Sequence, residues 1–238
     1  MCTVTYIPID GNGYILTSSR DEKVTRPLAI QPKIEEYPDY NLLFPKDPKG
    51  GGTWIACDNY GKTVCLFNGA FKAHTPKYPY RHSRGLIVLD FFNYDDSEVF
   101  KETYDFSNIE PFTLIILSRK TLEEFKWDGG ATHLIKYKYT EPKIWSSVTL
   151  YSSDVIKLRE SWYEEWKSKF STPDQKNIID FHLYAGNGNK EIDVLMERDR
   201  LSLKTVSITS IRLSDEKINM KYLDLLKKNT YNRELIFK

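Results

Sequence analysis

The chain has 238 residues, of which 34 are Lys or Arg and 33 are Asp or Glu, so its formal net charge is +1. This balance gives no electrostatic case for a nucleic-acid partner or an anionic membrane surface. Three cysteines, an odd number, argue against a disulfide framework. No membrane-spanning run, export signal or metal-ligand spacing is recognisable, so we expect a cytoplasmic protein with one domain over residues 1–238, without cofactor or metal.

The chain begins with a predicted β-hairpin, MCTVTYIPIDGNGYILTSSRDE. Apolar and β-branched runs flank the turn-forming residues 10–13, which is a strong hairpin signal. A two-residue loop centred on residues 11 and 12 places Cys2 opposite Asp21, and a loop centred one residue further on shifts this register slightly. Either register brings Cys2 within a residue or two of Arg20 and Asp21.

The open end of this hairpin has two interpretations. In the first, position 2 tolerates any small residue and Arg20-Asp21 simply ends a strand; spacing alone favours this one. In the second, Met1 is trimmed, as is usual before a small residue, and Cys2 carries both a thiol and a free α-amine. Reference pKa values of about 8.5 and roughly 7.7–8.0 place both groups near working pH. The amine can then activate the thiol, with Asp21 holding the amine and Arg20 stabilising a thiolate.

The next segments are predicted to be a loop, two short strands, two helices and a buried strand. Residues 29–52 are punctuated by proline and glycine and predict a surface loop. Two strands are predicted around the turn at 58–61. Helices are predicted within residues 83–94 and 95–106. The continuous apolar run at 111–118 predicts a strand buried on both faces.

The remaining chain is predicted to be rich in strands, with one long helix. Strands are predicted at LEEFKW, THLIKYKY and IWSSVTLYS. A helix capped by Ser153 follows, and its apolar stripe, Val155, Leu158, Trp162 and Trp166, is expected in the core. KTVSITSIRL and INMKYLDLL predict two more strands joined by a polar turn. Hairpins without alternating βαβ units predict an α+β fold with antiparallel sheets.

Three features in the middle of the chain admit a structural and a chemical interpretation. Cys57 and Cys65 lie in apolar strands and are expected in the core. Gly50–Gly52 indicate either close backbone approach or flexibility. Asn68-Gly69 is best explained as a turn, but the Asn68 carboxamide could instead donate to a developing oxyanion, which is worth about 3–4 kcal/mol of transition-state stabilisation.

Four short motifs carry a resemblance to a known family: MCTVTYIP at the start, SRDE at 19–22, GGTW at 51–54 and LFNGAF at 66–71. They resemble the NRDE family, also called the transport-and-Golgi-organisation protein 2 family, which is related to N-terminal-nucleophile (Ntn) hydrolases of the choloylglycine hydrolase and penicillin V acylase type. The resemblance implies a four-layer αββα sandwich with two antiparallel sheets.

The resemblance also implies roles for individual residues. Cys2 is the implied nucleophile, with Arg20 and Asp21 beside it, and Asn68 takes the place of the oxyanion donor. The implied substrate-binding residues are Trp54, Gly69 and Ser147.

Two positions depart from the pattern. Ser19 stands where the family has its namesake asparagine, and Ser146 or Ser147 stands where the hydrolases have a later asparagine. Part of the oxyanion machinery is therefore altered.

Two functions follow from the resemblance. One is a cysteine Ntn hydrolase that cleaves a linear, non-peptide amide of a small molecule. The other is a non-catalytic binding or trafficking protein for haem or an acylated small molecule.

Overall fold

A computed structural model describes residues 3–9, 11 and 13–237 of the chain. In this part of the chain two antiparallel sheets stack face to face, and helices cover the outer face of each sheet. The predicted α+β class and four-layer αββα sandwich are confirmed by this arrangement. None of the described helices is both long and apolar enough to cross a lipid bilayer.

The described elements follow one another along the chain in this order: β1 (Thr3–Ile9), β2 (Gly13–Lys23), β3 (Ile30–Glu36), β4 (Asn41–Lys46), β5 (Ile55–Asp58), β6 (Thr63–Asn68), α1 (Arg84–Asp90), α2 (Ser97–Thr103), β7 (Phe112–Ser118), β8 (Thr121–Trp127), β9 (Thr132–Tyr137), β10 (Lys143–Ser146), α3 (Ser153–Ser168), α4 (Gln175–Tyr184), β11 (Glu197–Arg198), β12 (Leu203–Leu213), β13 (Lys217–Asp224) and β14 (Asn229–Ile236).

Each sheet is built from neighbouring antiparallel strands. The first sheet has the order β10-β1-β2-β12-β13-β14, and β11 adds to one end of β12. The second sheet has the order β3-β4-β5-β6-β7-β8-β9. Helices α3 and α4 pack on the outer face of the first sheet, and α1 and α2 pack on the outer face of the second. The largest apolar cluster fills the space between the sheets.

Strand β7 shows how the sequence specifies these layers. Leu114 and Ile116 point toward α1 and α2, whereas Ile115 and Leu117 point into the inter-sheet space. Successive side chains of a strand alternate between its faces, so a strand covered on both sides needs a continuous apolar run. The prediction of a strand buried on both faces is confirmed. Each such side chain contributes about 1.5–3 kcal/mol when fully buried.

The expected surface loop at residues 29–52 is wrong, because most of this segment forms β3 and β4. Pro32 lies where the pairing register shifts, and β3 is the edge strand of the second sheet. An edge strand tolerates proline because one side of it has no partner that requires the missing N–H. Proline therefore marked a sheet edge here, and the apolar Leu42–Phe44 of the neighbouring strand is fully buried.

The helix prediction near residue 153 is confirmed in its position, with two corrections. The cap is Ser152, whose hydroxyl accepts a hydrogen bond from the backbone N–H of Val155. The predicted apolar stripe is only half-buried, and the fully buried side chains of α3 are Arg159 and Tyr163.

Neither α4 nor β14 is predicted from the sequence. Asp174 and Asn177 form a capping box at the start of α4, but Asn in the fourth position departs from the usual Glu or Gln. The exposed, strongly polar pattern of β14 gives little alternation to recognise.

The glycine run Gly50–Gly52 allows the backbone to approach helix α1 closely. A Cβ atom on Gly52 would lie 2.2 Å from the backbone of Gly85, in the first turn of α1. The N–H of Thr53 donates to the Gly85 carbonyl over 3.0 Å, which fixes the approach. Glycine is required here because any side chain would overlap the helix backbone.

Candidate active site

The register of the β1–β2 hairpin matches neither predicted one: Ile9 pairs with Gly13, which is one position away from the register of a loop centred on residues 11 and 12. Thr3 therefore pairs with Ser19, whereas the two-residue loop would place it opposite Arg20. Cys2, the implied nucleophile, lies outside the described residues. Thr3, the residue after it, is the first whose surroundings are described.

Arg20 is buried on the face of β2 that points toward the second sheet. Its guanidinium lies over the Trp54 ring, 4.4 Å from the ring centroid. One nitrogen is 3.7 Å from Glu22 and 3.8 Å from Asp47. Burial lowers the pKa of Arg20, and the two carboxylates offset part of this effect. The indole N–H of Trp54 is buried without a hydrogen-bond partner among the described residues. The contact between Arg20 and Trp54 therefore combines a cation with a hydrogen-bond donor that no described residue uses.

Asp21 points to the other face of the strand, toward the helices. Its carboxylate accepts hydrogen bonds from the Tyr151 hydroxyl at 2.7 Å and the Thr205 hydroxyl at 2.5 Å. The side chain is buried, with 5% of its surface exposed. The first sheet thus separates the guanidinium of Arg20 from the carboxylate of Asp21, although the two residues are adjacent in the sequence.

Arg159 of α3 connects Asp21 to the start of the chain. Its guanidinium stacks 3.7 Å from the centroid of the Tyr151 ring, whose hydroxyl bonds Asp21. The same guanidinium donates to the Thr3 hydroxyl and to the carbonyls of Ile192 and Asp193. Arg159 has no exposed surface. A fully buried cation is costly unless its donors are satisfied, so these contacts fix the position of the guanidinium.

His182 of α4 binds the hairpin beside Arg159. One ring nitrogen is 2.9 Å from the Thr5 hydroxyl, and the other is 2.8 Å from the Ser19 hydroxyl. Burial, reinforced by the nearby Arg159 charge, lowers the pKa of His182 to about 3. The imidazole is therefore neutral near pH 7, with one nitrogen donating and the other accepting.

Asn68 and Ser147 line a cavity of about 240 Å³ at the end of the inter-sheet space. The Ser147 hydroxyl donates to the backbone carbonyl of Asn68 over 3.2 Å. No described residue forms a hydrogen bond with the Asn68 carboxamide. Ser146, which also lines the cavity, pairs with Thr3 across β10 and β1. The start of the described chain therefore runs along this cavity.

Gly69 lines the same cavity with a left-handed backbone, at φ +81°. A Cβ atom here would lie 2.4 Å from the Thr149 side chain, so glycine is required for both conformation and space. The N–H of Gly69 already donates to the Pro111 carbonyl over 2.9 Å. Gly69 therefore shapes the cavity without offering its own N–H to a ligand.

Sequence comparison decides the family of the chain. The sequence profile described as Transport and Golgi organisation 2 matches residues 1–170. The chain belongs to the Transport and Golgi organisation 2 family. The family resemblance inferred from the short motifs is confirmed. No curated protein matches the chain significantly.

The fold of this Transport and Golgi organisation 2 family member is shared with N-terminal-nucleophile hydrolases. A variant of the conjugated bile acid hydrolase from Clostridium perfringens is 11% identical, with a TM-score of 0.55, and the match covers 100% of this chain and 98% of the hydrolase. A second variant of that enzyme gives a TM-score of 0.53 at 10% identity, covering 100% and 97%. The Caenorhabditis elegans ortholog of N-acylethanolamine-hydrolyzing acid amidase gives 0.51 at 13%, covering 88% and 92%. These identities establish the fold alone.

The predicted site residues fall into separate groups in this family member. Arg20 and Trp54 meet between the sheets, Asp21 lies on the helix side, and Asn68, Gly69 and Ser147 share one cavity.

The residues that support Asp21 and the hairpin are not predicted from the sequence. Tyr151 and Thr205 are 130 and 184 positions away from Asp21, so no local pattern connects them. Arg159 falls between Leu158 and Trp162 on the inward side of α3. A cation in that inward stripe was the one available signal.

Proposed function

We propose that the protein is a cysteine N-terminal-nucleophile hydrolase that cleaves a linear, non-peptide amide of a small molecule. The observation that carries the proposal is the pairing of Thr3 with Ser146. It brings the strand that follows Cys2 to the cavity that Asn68 lines. A nucleophile at residue 2 and an oxyanion donor then serve one cavity. The shared fold with two amide hydrolases supports the assignment.

In the proposed reaction the Cys2 sulfur attacks the amide carbonyl carbon, and the α-amine of Cys2 accepts the thiol proton. The carbonyl oxygen becomes an oxyanion, to which the Asn68 carboxamide donates a hydrogen bond. The C–N bond breaks when the α-ammonium returns the proton to the leaving amine, and a thioester remains on Cys2. Water then attacks the thioester carbon, and its proton passes through the amine to the sulfur. The carboxylic acid leaves and the thiol is restored.

The buried groups around the hairpin have supporting roles in this proposal. Asp21, held by Tyr151 and Thr205, orients the α-amine by accepting a hydrogen bond from its N–H. Arg20 favours the thiolate form of Cys2 through its positive charge. Arg159 acts as a positioning residue, because it fixes Thr3 and the Tyr151 ring together.

The test compares two forms of the protein. One carries a C-terminal tag and begins at Cys2 after Met1 removal; the other has an uncleavable N-terminal extension, which turns the α-amine into a non-basic amide. Circular dichroism verifies that both are folded, and a panel of acyl p-nitroanilides reports hydrolysis. We expect hydrolysis only by the first form, its loss in Cys2→Ala, and its retention in Cys57→Ala.

Equal hydrolysis by the two forms would contradict the N-terminal mechanism. Absence of hydrolysis in both, with equal haem binding by both, would favour the carrier function instead.

A further inference from the structure

One wall of the cavity carries an amine whose charge is not neutralised by a described carboxylate. Lys143, Trp145 and Ser147 follow one another at alternate positions, and Lys143 and Trp145 share the inter-sheet side of β10 with their partners Tyr6 and Val4. All three line the cavity. The wall therefore runs from a hydroxyl beside Asn68, past an indole ring, to an ammonium group.

Two lysines and two glutamates line the cavity, namely Lys126, Lys143, Glu124 and Glu160, and no described ion pair joins Lys143 to either glutamate. Lys126 is paired with Glu124 over 3.0 Å, and Glu124 also accepts a hydrogen bond from the Tyr137 hydroxyl over 2.6 Å. The Lys143 ammonium lies 4.2 Å from the Tyr137 ring centroid and 5.6 Å from the Trp145 centroid, and no described carboxylate forms an ion pair with it. Two aromatic faces hold this cation in place without neutralising it.

The spacing sets the length of a ligand that can reach both ends. Ser147 lies four positions after Lys143, which corresponds to about 13 Å along an extended chain. The volume of about 240 Å³ is below the range of roughly 300–1,000 Å³ for drug-sized ligands. The cavity therefore suits a short molecule with a flat body.

We infer that the cavity selects small amides that carry a second, anionic group, with a carboxylate paired to Lys143 and a flat apolar body against Trp145. The position of the scissile amide, at the Asn68 end, rests on the proposed function. The anion site itself rests on Lys143, Trp145 and Tyr137. Lys143 is thus assigned as a specificity-determining residue.

Equilibrium binding tests this inference without turnover. The probes are terephthalic acid monoanilide and its uncharged primary-amide analogue, and the quenching of tryptophan fluorescence reports binding to Cys2→Ala protein. We expect the anionic probe to bind at least tenfold more tightly than the neutral one. Lys143→Met should remove this preference and leave the affinity for the neutral probe unchanged, whereas Lys143→Arg should retain it. Lys138→Met, at an exposed lysine paired with Glu141, is the matched control and should retain it too.

Two results would overturn the inference: equal affinity for the two probes before mutation, or an unchanged preference in Lys143→Met. Neither result bears on the proposed hydrolase function, which is tested separately by hydrolysis with the Met1-free protein. Conversely, a charge preference that depends on Lys143, in a protein that hydrolyses no amide, would support the anion site and contradict the proposed function.

Discussion

The two halves of the β1–β2 hairpin are equally buried but differ in chemistry. The half near the turn presents apolar side chains on both faces, such as Leu16 between the sheets and Ile15 against the helices. The open half presents polar side chains on both faces. All of them are buried, with almost no exposed surface: Thr3, Thr5, Thr17, Ser18, Ser19, Arg20 and Asp21. Burying polar groups costs free energy unless they are paired, so the open half depends on specific partners supplied by distant elements.

This difference separates what stabilises the fold from what prepares the site. Apolar contacts near the turn need only matching volume and shape. The open half needs directional bonds: Thr17 bonds Ser210, His182 bonds Thr5 and Ser19, and Arg159 bonds Thr3. A hairpin stabilised at one end can thus hold a precise arrangement at the other, beside the residue proposed as the nucleophile.

The largest expected effect on stability comes from the apolar half. Leu16→Ala removes a fully buried side chain and leaves a cavity, which should lower the free energy of unfolding by about 2–5 kcal/mol. The rate of Cys2 alkylation by iodoacetamide in the folded protein should not change. Urea unfolding and peptide mapping measure the two quantities. A large loss of Cys2 reactivity would show that the halves are not separable.

Arg159→Met tests the polar half. The substitution leaves the carbonyls of Ile192 and Asp193 without this donor, so we expect a loss of about 1–3 kcal/mol in the free energy of unfolding. Unlike Leu16→Ala, it should also slow Cys2 alkylation, because Thr3 loses its anchor. Arg198→Met is the matched control, since Arg198 also approaches the Tyr151 ring, at 5.1 Å. Equal alkylation rates in the two variants would remove the positioning role of Arg159.

The pH dependence of stability should depend on His182. The pKa of His182 in the folded protein is about 3, below its ordinary value of about 6.5. Between pH 3 and pH 6.5 the unfolded chain therefore binds a proton at His182 that the folded chain does not bind. The stabilising contribution is complete above about pH 6.5 and is lost as the pH falls toward 3, by at most about 1.4 kcal/mol per pH unit.

Urea unfolding at pH 7 and pH 5 measures this dependence. His182→Gln should reduce the difference between the two values, and His133→Gln, at a half-buried histidine of β9, should not. The same difference in His182→Gln as in the unmodified protein would exclude His182 as the source.

The smallest expected effect on stability comes from Asp21→Asn. The amide keeps the shape and one acceptor oxygen, so the loss should be about 1 kcal/mol. The lost charge should still slow Cys2 alkylation, because the α-amine loses its proposed carboxylate partner. Asp58→Asn, at an equally buried carboxylate in β5, is the control. Unchanged alkylation in Asp21→Asn would reduce Asp21 to a structural residue at the end of the strand.

The contrast between the two halves also explains which features could be predicted from sequence. The opening hairpin, the two strands around the turn at 58–61 and the buried β7 follow from alternation and turn residues close together in the chain. The surface loop predicted for the segment with β3 and β4 is wrong because proline in this segment marks the edge of a sheet rather than a loop. The candidate site residues came from short motifs, whereas Arg159 and His182 did not. Their partners lie 156 to 177 positions away, and only the folded sheet brings them together.

The central claim is that the polar half of the hairpin activates the thiol at the start of the chain. Brief iodoacetamide treatment at neutral pH, followed by peptide mapping of Met1-free and N-terminally extended protein, tests it directly. Burial raises the pKa of Cys65 to about 12 and that of Cys57 well above its usual value, so both thiols should stay unreactive. The account predicts that Cys2 of the Met1-free protein is alkylated faster than either buried cysteine and faster than Cys2 of the extended protein. Labelling of Cys2 that is no faster than that of Cys57 and Cys65, or equal in the two forms, would contradict it.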